Sequence, residues 1–119
     1  RRAMQNTVET SALYHSWPQK VAHDLRLARK AISDQDFCTL GNVAESNALA
    51  MHATMMAALP PILYWLPESV AVMHKIWKLR SDGLNLYFTM DAGPNIKVLF
   101  LKKDTATIQQ QLPEMQLQH

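Results

Sequence analysis

Cysteine is nearly absent from this sequence: Cys38 stands alone, which excludes an internal disulfide and fits a reducing compartment. No apolar run approaches the roughly 18 residues that a membrane-spanning helix needs. There is also no charged-then-apolar leader. Charged residues make up only 18%, the formal net charge is +2, and the Lys and Arg residues are spread along the chain instead of gathering with aromatics in one basic tract. Nucleic acid is therefore not indicated as a partner. None of His15, His23, His52, His74 and His119 forms the i, i+4 pair with a carboxylate that a zinc-binding helix uses, so no metal site is expected. The expectation is a soluble, cytoplasmic protein with no membrane partner.

What is present is a chain of 119 residues, 48% apolar, the size of one domain with a real core. It begins at Arg1 without an initiator methionine, and the expectation is a piece of a longer polypeptide. Arg1 to Val8 is polar and carries no readable periodicity. Leu13, Trp17, Val21, Leu25, Ala28 and Ile32 then recur at three- or four-residue spacing and predict a helix with one apolar stripe. Pro18 falls inside this pattern and predicts a disturbed first turn near Ser16. After Ser33-Asp34-Gln35-Asp36, which breaks the pattern and offers caps, Phe37, Leu40, Val43, Ala44, Ala48, Met51, Met55 and Leu59 predict a second, antiparallel helix ended by Pro60-Pro61. Gly41 is its weak point. Pro67-Glu68 starts a third helix, marked by Val70, Met73, Ile76, Trp77 and Arg80 and ended by Asp82-Gly83.

Two β-type runs follow, Leu84 to Met90 and Ile96 to Leu101, joined by Asp91-Ala92-Gly93-Pro94-Asn95, whose residue types are those of a turn. Asp104 or Thr105 caps a last short helix that stops at Pro113. The fold class is α+β, with an antiparallel sheet packed on helices. Because two strands alone are marginal, the sheet is expected to be incomplete in this chain.

Asp91 is the residue with the most chemical promise, since an acid at the end of a buried strand, followed by Ala-Gly-Pro, stands on a stiff base where a ligand can approach the backbone. The alternative is an Asx-turn residue that only hydrogen-bonds its own loop. Both readings stand on the residues alone. His52 and Asn47 lie about 140° apart on one helix and do not converge on a ligand. For His52, a hydrogen bond to the core or to a neighbouring backbone is expected. Cys38, beside Phe37 and without a basic neighbour in sequence, reads as a small buried hydrophobe with no catalytic role. Met51, Met55, Met56 and Met73 read as core filler, with an adaptable binding groove as the alternative.

The run ESNALAMHATMMAALPPILYWLPES from Glu45, followed after the third helix by YFTMDAGPN, resembles the bacterial type of diphosphomevalonate decarboxylases within the GHMP kinase superfamily. The opening RRAMQNTVETSALYHSW resembles that family's stretch just after a S-R-x-x-M motif, whose serine is not among these residues while Arg1 and Met4 match its arginine and methionine. The likeness implies a GHMP-kinase C-terminal-like domain spanning residues 1–119 of a longer decarboxylase. It further implies conversion of mevalonate diphosphate to isopentenyl diphosphate in isoprenoid synthesis, with ATP and Mg²⁺ used to phosphorylate the C3 hydroxyl before phosphate and CO₂ leave. By this resemblance Asp91 is the catalytic carboxylate near that hydroxyl, as general base or as positioning group. Ala92 and Met4 would line the same pocket, and Arg1 would meet the substrate diphosphate. The family's Gly- and Ser-rich phosphate loop and ATP site have no counterpart among these residues. ATP and Mg²⁺ are accordingly expected on a missing N-terminal half, the isolated fragment is expected to be inactive, and the full-length enzyme is expected to be a homodimer. Two alternatives are a sister activity on mevalonate or its monophosphate, with Arg1 as the discriminator, and a non-catalytic helical interaction module in which DAGPN is only a turn.

Overall fold

A computed structural model describes residues 2–115, without the Arg2 side chain. Its elements are α1 (Arg2–Thr10), α2 (Trp17–Ser33), α3 (Phe37–Met56), α4 (Pro67–Ser81), β1 (Leu86–Met90), β2 (Ile96–Phe100) and α5 (Thr105–Gln111), with single 3₁₀ turns at Tyr14–Ser16 and Lys102–Asp104. The α+β class holds, and the strands pair antiparallel in the register Leu86 with Phe100 through Met90 with Ile96.

Local chemistry accounts for the helix ends. Pro18 sits in the first turn of α2, where its missing N–H costs nothing, and the preceding turn is 3₁₀. Asp36 caps α3, accepting from the Thr39 N–H at 3.1 Å and from the Thr39 hydroxyl at 2.6 Å. Both α2 and α4 close with paired backbone bonds: Asp36 N–H to the Ala31 carbonyl at 2.8 Å after α2, and Leu84 N–H to the Leu79 carbonyl at 3.0 Å after α4. The reversing residue is left-handed in each case, Gln35 at φ 54° and Gly83 at φ 105°.

Several expectations are corrected. Arg2–Thr10 is a helix despite its unreadable pattern, and it is tied down by tertiary bonds from Asn6 Nδ2 to the Pro60 carbonyl and from the Leu59 N–H to Thr10 Oγ1. The predicted apolar stripe is largely turned outward, with Leu13, Val21, Leu25 and Ile32 exposed and Trp17 and Ala28 half-buried. The covered face lies one residue round the helix, at Asp24 and Ala31. There Asp24 accepts from Asn47 Nδ2 at 3.0 Å, Lys20 Nζ stands 3.0 Å from the Asp24 carboxylate, and Lys20 also donates to Ser46 Oγ at 2.7 Å. A paired polar seam thus joins α2 to α3 where an apolar one was expected. Helix α3 stops at Met56, and Leu59 is exposed beyond it. Cys38 is exposed, not buried, and its sulfur accepts from the Tyr87 hydroxyl at 3.1 Å.

The apolar core gathers Ala48 from α3, Met73 and Ile76 from α4, Leu86, Phe88 and Met90 from β1, and Ile108 and Leu112 around α5. Tyr87 is buried as well, so β1 is covered on both faces. Its ring lies so close to α3 that a Cβ at Gly41 would overlap it. The apparent weak point of the helix is therefore the place where strand and helix come closest.

At the centre of this layer the buried Glu45 joins three elements. Its carboxylate accepts from Arg80 Nη1 at 2.9 Å and Nη2 at 2.8 Å, from the Trp77 indole at 3.1 Å and from the Phe88 backbone N–H at 3.2 Å. Arg80 also donates to the Leu86 carbonyl at 3.1 Å and lies 4.5 Å from the Tyr87 ring centroid. Burial alone would raise the Glu45 carboxyl, but the Arg80, Trp77 and Phe88 donors together hold it below its ordinary value.

Gly41→Ala should destabilise the domain by about 1–2 kcal/mol, because overlap with Tyr87 outweighs the gain in helix propensity; chemical unfolding followed by tryptophan fluorescence measures this. Glu45→Gln should cost about 3 kcal/mol at neutral pH, since it leaves Arg80 without its counter-charge. As the folded carboxyl titrates below its ordinary value of 4.5, the wild-type advantage is full above that pH and is lost as pH falls through the lowered folded value. Unfolding curves of the two proteins should converge on acidification.

Candidate active site

Asp91 is the first residue after β1, and the five-residue tip to Asn95 closes the hairpin. The tip is held through its backbone. The Asp91 carbonyl accepts twice, from the Gly93 N–H at 2.8 Å, which closes a three-residue turn, and from His52 Nε2 at 2.9 Å. Three residues on, the Pro94 carbonyl accepts from Ser69 Oγ at 2.9 Å. Ser69 in turn accepts from the Leu66 N–H at 3.1 Å at the start of α4, so one hydroxyl serves both the helix end and the loop.

His52 is 2% exposed and lies near the rings of Tyr64, at 6.2 Å and 89°, and Trp65, at 5.7 Å and 40°. The apolar crossing after the double proline is therefore one wall of the histidine's niche. A carbonyl oxygen can only accept, so Nε2 carries the proton of this bond. Burial pushes the His52 pKa below its ordinary value, against the opposing pull of the Asp91 carbonyl and charge, and the ring is the neutral Nε2–H tautomer.

The Asp91 side chain itself faces out, 67% exposed, with Oδ2 3.2 Å from Lys97 Nζ. Lys97 lies on β2 opposite Thr89, so the register of the hairpin brings it beside the tip. An exposed pair of this kind adds little to stability. Its consequence is positional, since it occupies one carboxylate oxygen and leaves Oδ1 without a hydrogen-bond partner among the described residues. Ala92 is exposed next to it.

Met4 is 49% exposed and lines a shallow depression with Thr7, Tyr14, Met51 and Met55. Neither Asp91 nor Ala92 lines that depression. Arg1 lies outside the described residues. A broader trough of about 670 Å³ runs from Pro94 and Asn95 along Ile96, Val98 and Phe100 to Met115. Its floor is apolar and its charged rim is mixed, with Glu68, Lys97 and Glu114, the last paired with Lys75 at 3.2 Å. No group of three or more His, Cys, Asp or Glu side chains gathers for a metal ion, and no helix is long and apolar enough to cross a membrane, among the described residues. Met55 and Met73 are buried, as core filler would be, while Met51 and Met56 are half-buried.

His52, Ser69 and Lys97 are the site residues not assigned from sequence. Lys97 could have been found by counting the hairpin register outward from the tip, whereas Ser69 carries no local signal of its bond to residue 94.

Helices behind an antiparallel hairpin, with a backbone-anchored acid exposed at its tip, make this an α+β domain with a candidate site at the hairpin end. The family model of the mevalonate 5-diphosphate decarboxylase C-terminal domain matches residues 1–118, and the chain belongs to that family. A diphosphomevalonate decarboxylase of Aspergillus fumigatus is 32% identical over 108 residues, which are 88% of this chain and 27% of that protein. The solved mevalonate diphosphate decarboxylase of Enterococcus faecalis is 44% identical with a TM-score of 0.92, over 96% of this chain and 36% of the other. A further structure, also 44% identical with a TM-score of 0.92 over 96% and 35% of the two chains, is a complex with MVAPP, AMPPCP and magnesium. The chain thus spans about a quarter of the curated relative and about a third of the solved structures.

Proposed function

We propose that this chain is the C-terminal domain, residues 1–119, of a longer enzyme that decarboxylates mevalonate 5-diphosphate to isopentenyl diphosphate with consumption of ATP. The observation that carries the proposal is the posture of Asp91. Its backbone is fixed by His52 and by the turn to Gly93, while its carboxylate is left outside with one oxygen free. A buried Asx-turn residue would have the opposite arrangement, with its side chain spent on the loop.

Asp91 then stands against the tertiary C3 hydroxyl, where the free oxygen receives the hydroxyl proton and the Lys97 pair restrains the carboxylate. Bound ATP with Mg²⁺ supplies the phosphoryl group that makes the C3 oxygen a leaving group, after which phosphate and CO₂ depart and the double bond forms. ATP and Mg²⁺ are assigned mainly to the part of the polypeptide outside this chain. Ala92 lies beside Asp91 at the tip and is assigned to the pocket around C3; Met4, which lines a separate depression of this chain, is assigned there by the family resemblance alone. Arg1 is assigned to the substrate diphosphate as a charge-assisted donor. The full-length enzyme is assigned to the cytoplasm as a homodimer, with neither membrane nor nucleic acid as partner.

In the full-length enzyme Asp91→Ala should lower turnover by about a thousandfold or more while leaving the unfolding midpoint near that of the wild type, because an exposed tip carboxylate adds little to the core. Loss of the fold with the activity would return Asp91 to a structural role. The 119-residue chain alone should release no CO₂ from mevalonate diphosphate and ATP, and measurable release would refute the assignment of the nucleotide to the absent part.

A further inference from the structure

Among the described residues, the buried imidazole that touches the tip, that of His52, spends its N–H on the residue that carries the reactive carboxylate. The carbonyl carbon and the Cβ of Asp91 both hang from one Cα, so a bond that fixes the direction of the carbonyl also fixes the cone in which the carboxylate can move. His52 makes that bond from α3, 39 residues away in sequence, at 2.9 Å. It does so from a niche with almost no freedom, 2% exposed and walled by Tyr64 and Trp65. A histidine kept only to fill the core would be replaceable by an apolar ring of similar size, and burying an imidazole is costly unless its polar atoms are used. Here the used atom points at the site. The second lone pair of the same carbonyl is taken by the Gly93 N–H at 2.8 Å, so the oxygen has no capacity left to swing toward another donor.

We propose that His52 is a positioning residue of the active site, its Nε2–H holding the Asp91 carbonyl so that the carboxylate leaves β1 in the one direction that meets the substrate hydroxyl. The inference rests on the reading of Asp91 as the reactive carboxylate. It assigns His52 no contact with substrate and no proton transfer. Misplacement of a reacting group by about 1 Å can cost on the order of a hundredfold in rate. The effect is therefore expected in kcat, with little change in how well the substrate binds.

The test uses the full-length enzyme with three variants, and measures kcat and KM for ATP-dependent CO₂ release from mevalonate diphosphate together with the unfolding midpoint. His52→Phe keeps the ring volume and removes the donor. It should lower kcat by about ten- to a hundredfold, with KM within about twofold of the wild type. His52→Gln returns an N–H to a similar reach and should recover kcat to within about threefold of the wild type. A folded His52→Phe enzyme with wild-type kcat would overturn the proposal, as would a folded His52→Gln enzyme as impaired as His52→Phe. Asp91→Asn separates the two levels of inference. If it is inactive while His52→Phe is fully active, only the role of His52 falls; if Asp91→Asn turns over normally, the reading of Asp91 itself falls. Should His52→Phe not fold, ¹⁵N spectra of the histidine-labelled wild type decide the matter: the Nε2–H tautomer supports the proposal, and the Nδ1–H tautomer overturns it.

Discussion

The Glu45 carboxylate is the point on which the architecture depends. A buried ionised acid is tolerated only when each of its acceptor sites is used, and here four donors from two other elements converge on it. Two of these come from one guanidinium in the fork geometry that suits a carboxylate, and one comes from the backbone of β1. The bond to the Phe88 N–H has a further effect, because it fixes how far β1 can slide along α3. A slip of one residue would turn the buried Leu86, Phe88 and Met90 to the other face of the strand and would also leave Glu45 short of a donor. Register is thus specified twice, once by apolar burial and once by charge.

The same alignment sets the site. Glu45 and His52 lie seven residues apart on α3, two turns of helix, and therefore on the same face. The first holds the strand at Phe88 and the second holds the residue just beyond the strand at Asp91. Helix α3 acts as a ruler against which β1 and its tip are measured. Gly41, one turn before Glu45, lets the helix come close enough for such short side chains to reach. Neither Glu45 nor His52 touches the Asp91 carboxylate, whose hydrogen-bond partner among the described residues is Lys97 of β2.

Much of the fold was legible in the sequence because its signals are local. The cap at Asp36, the helix start at Pro67, the helix end at Gly83 and the turn chemistry of residues 91–95 each act within a few residues, and each is found where expected, whereas α3 ends three residues short of Leu59. The hidden features have distant partners. Asp24 reads as a solvent-facing residue of α2 until Asn47 is placed beside it, and its burial turns the apolar stripe of Val21, Leu25 and Ile32 outward. Glu45 reads as one polar position in a helix rich in Ala and Met, while its partner Arg80 lies 35 residues on. Asp91 was visible from its place at the tip, and recognition of the family sharpened its role. For His52 a bond to a neighbouring backbone was the expected reading, and the backbone in question is that of Asp91. Ser69 could not have been read at all, since a serine in the first turn of a helix is most simply a cap, and its second bond reaches 25 residues to Pro94.

The two edges of the hairpin are not equivalent. On β1 the Leu86 carbonyl is held by Arg80 and the Phe88 N–H by Glu45, so part of that edge is spent on side chains. The apolar trough runs beside Ile96, Val98 and Phe100 of β2. A strand added along β2 would therefore leave both anchors of β1, and the Asp91 tip beyond them, undisturbed.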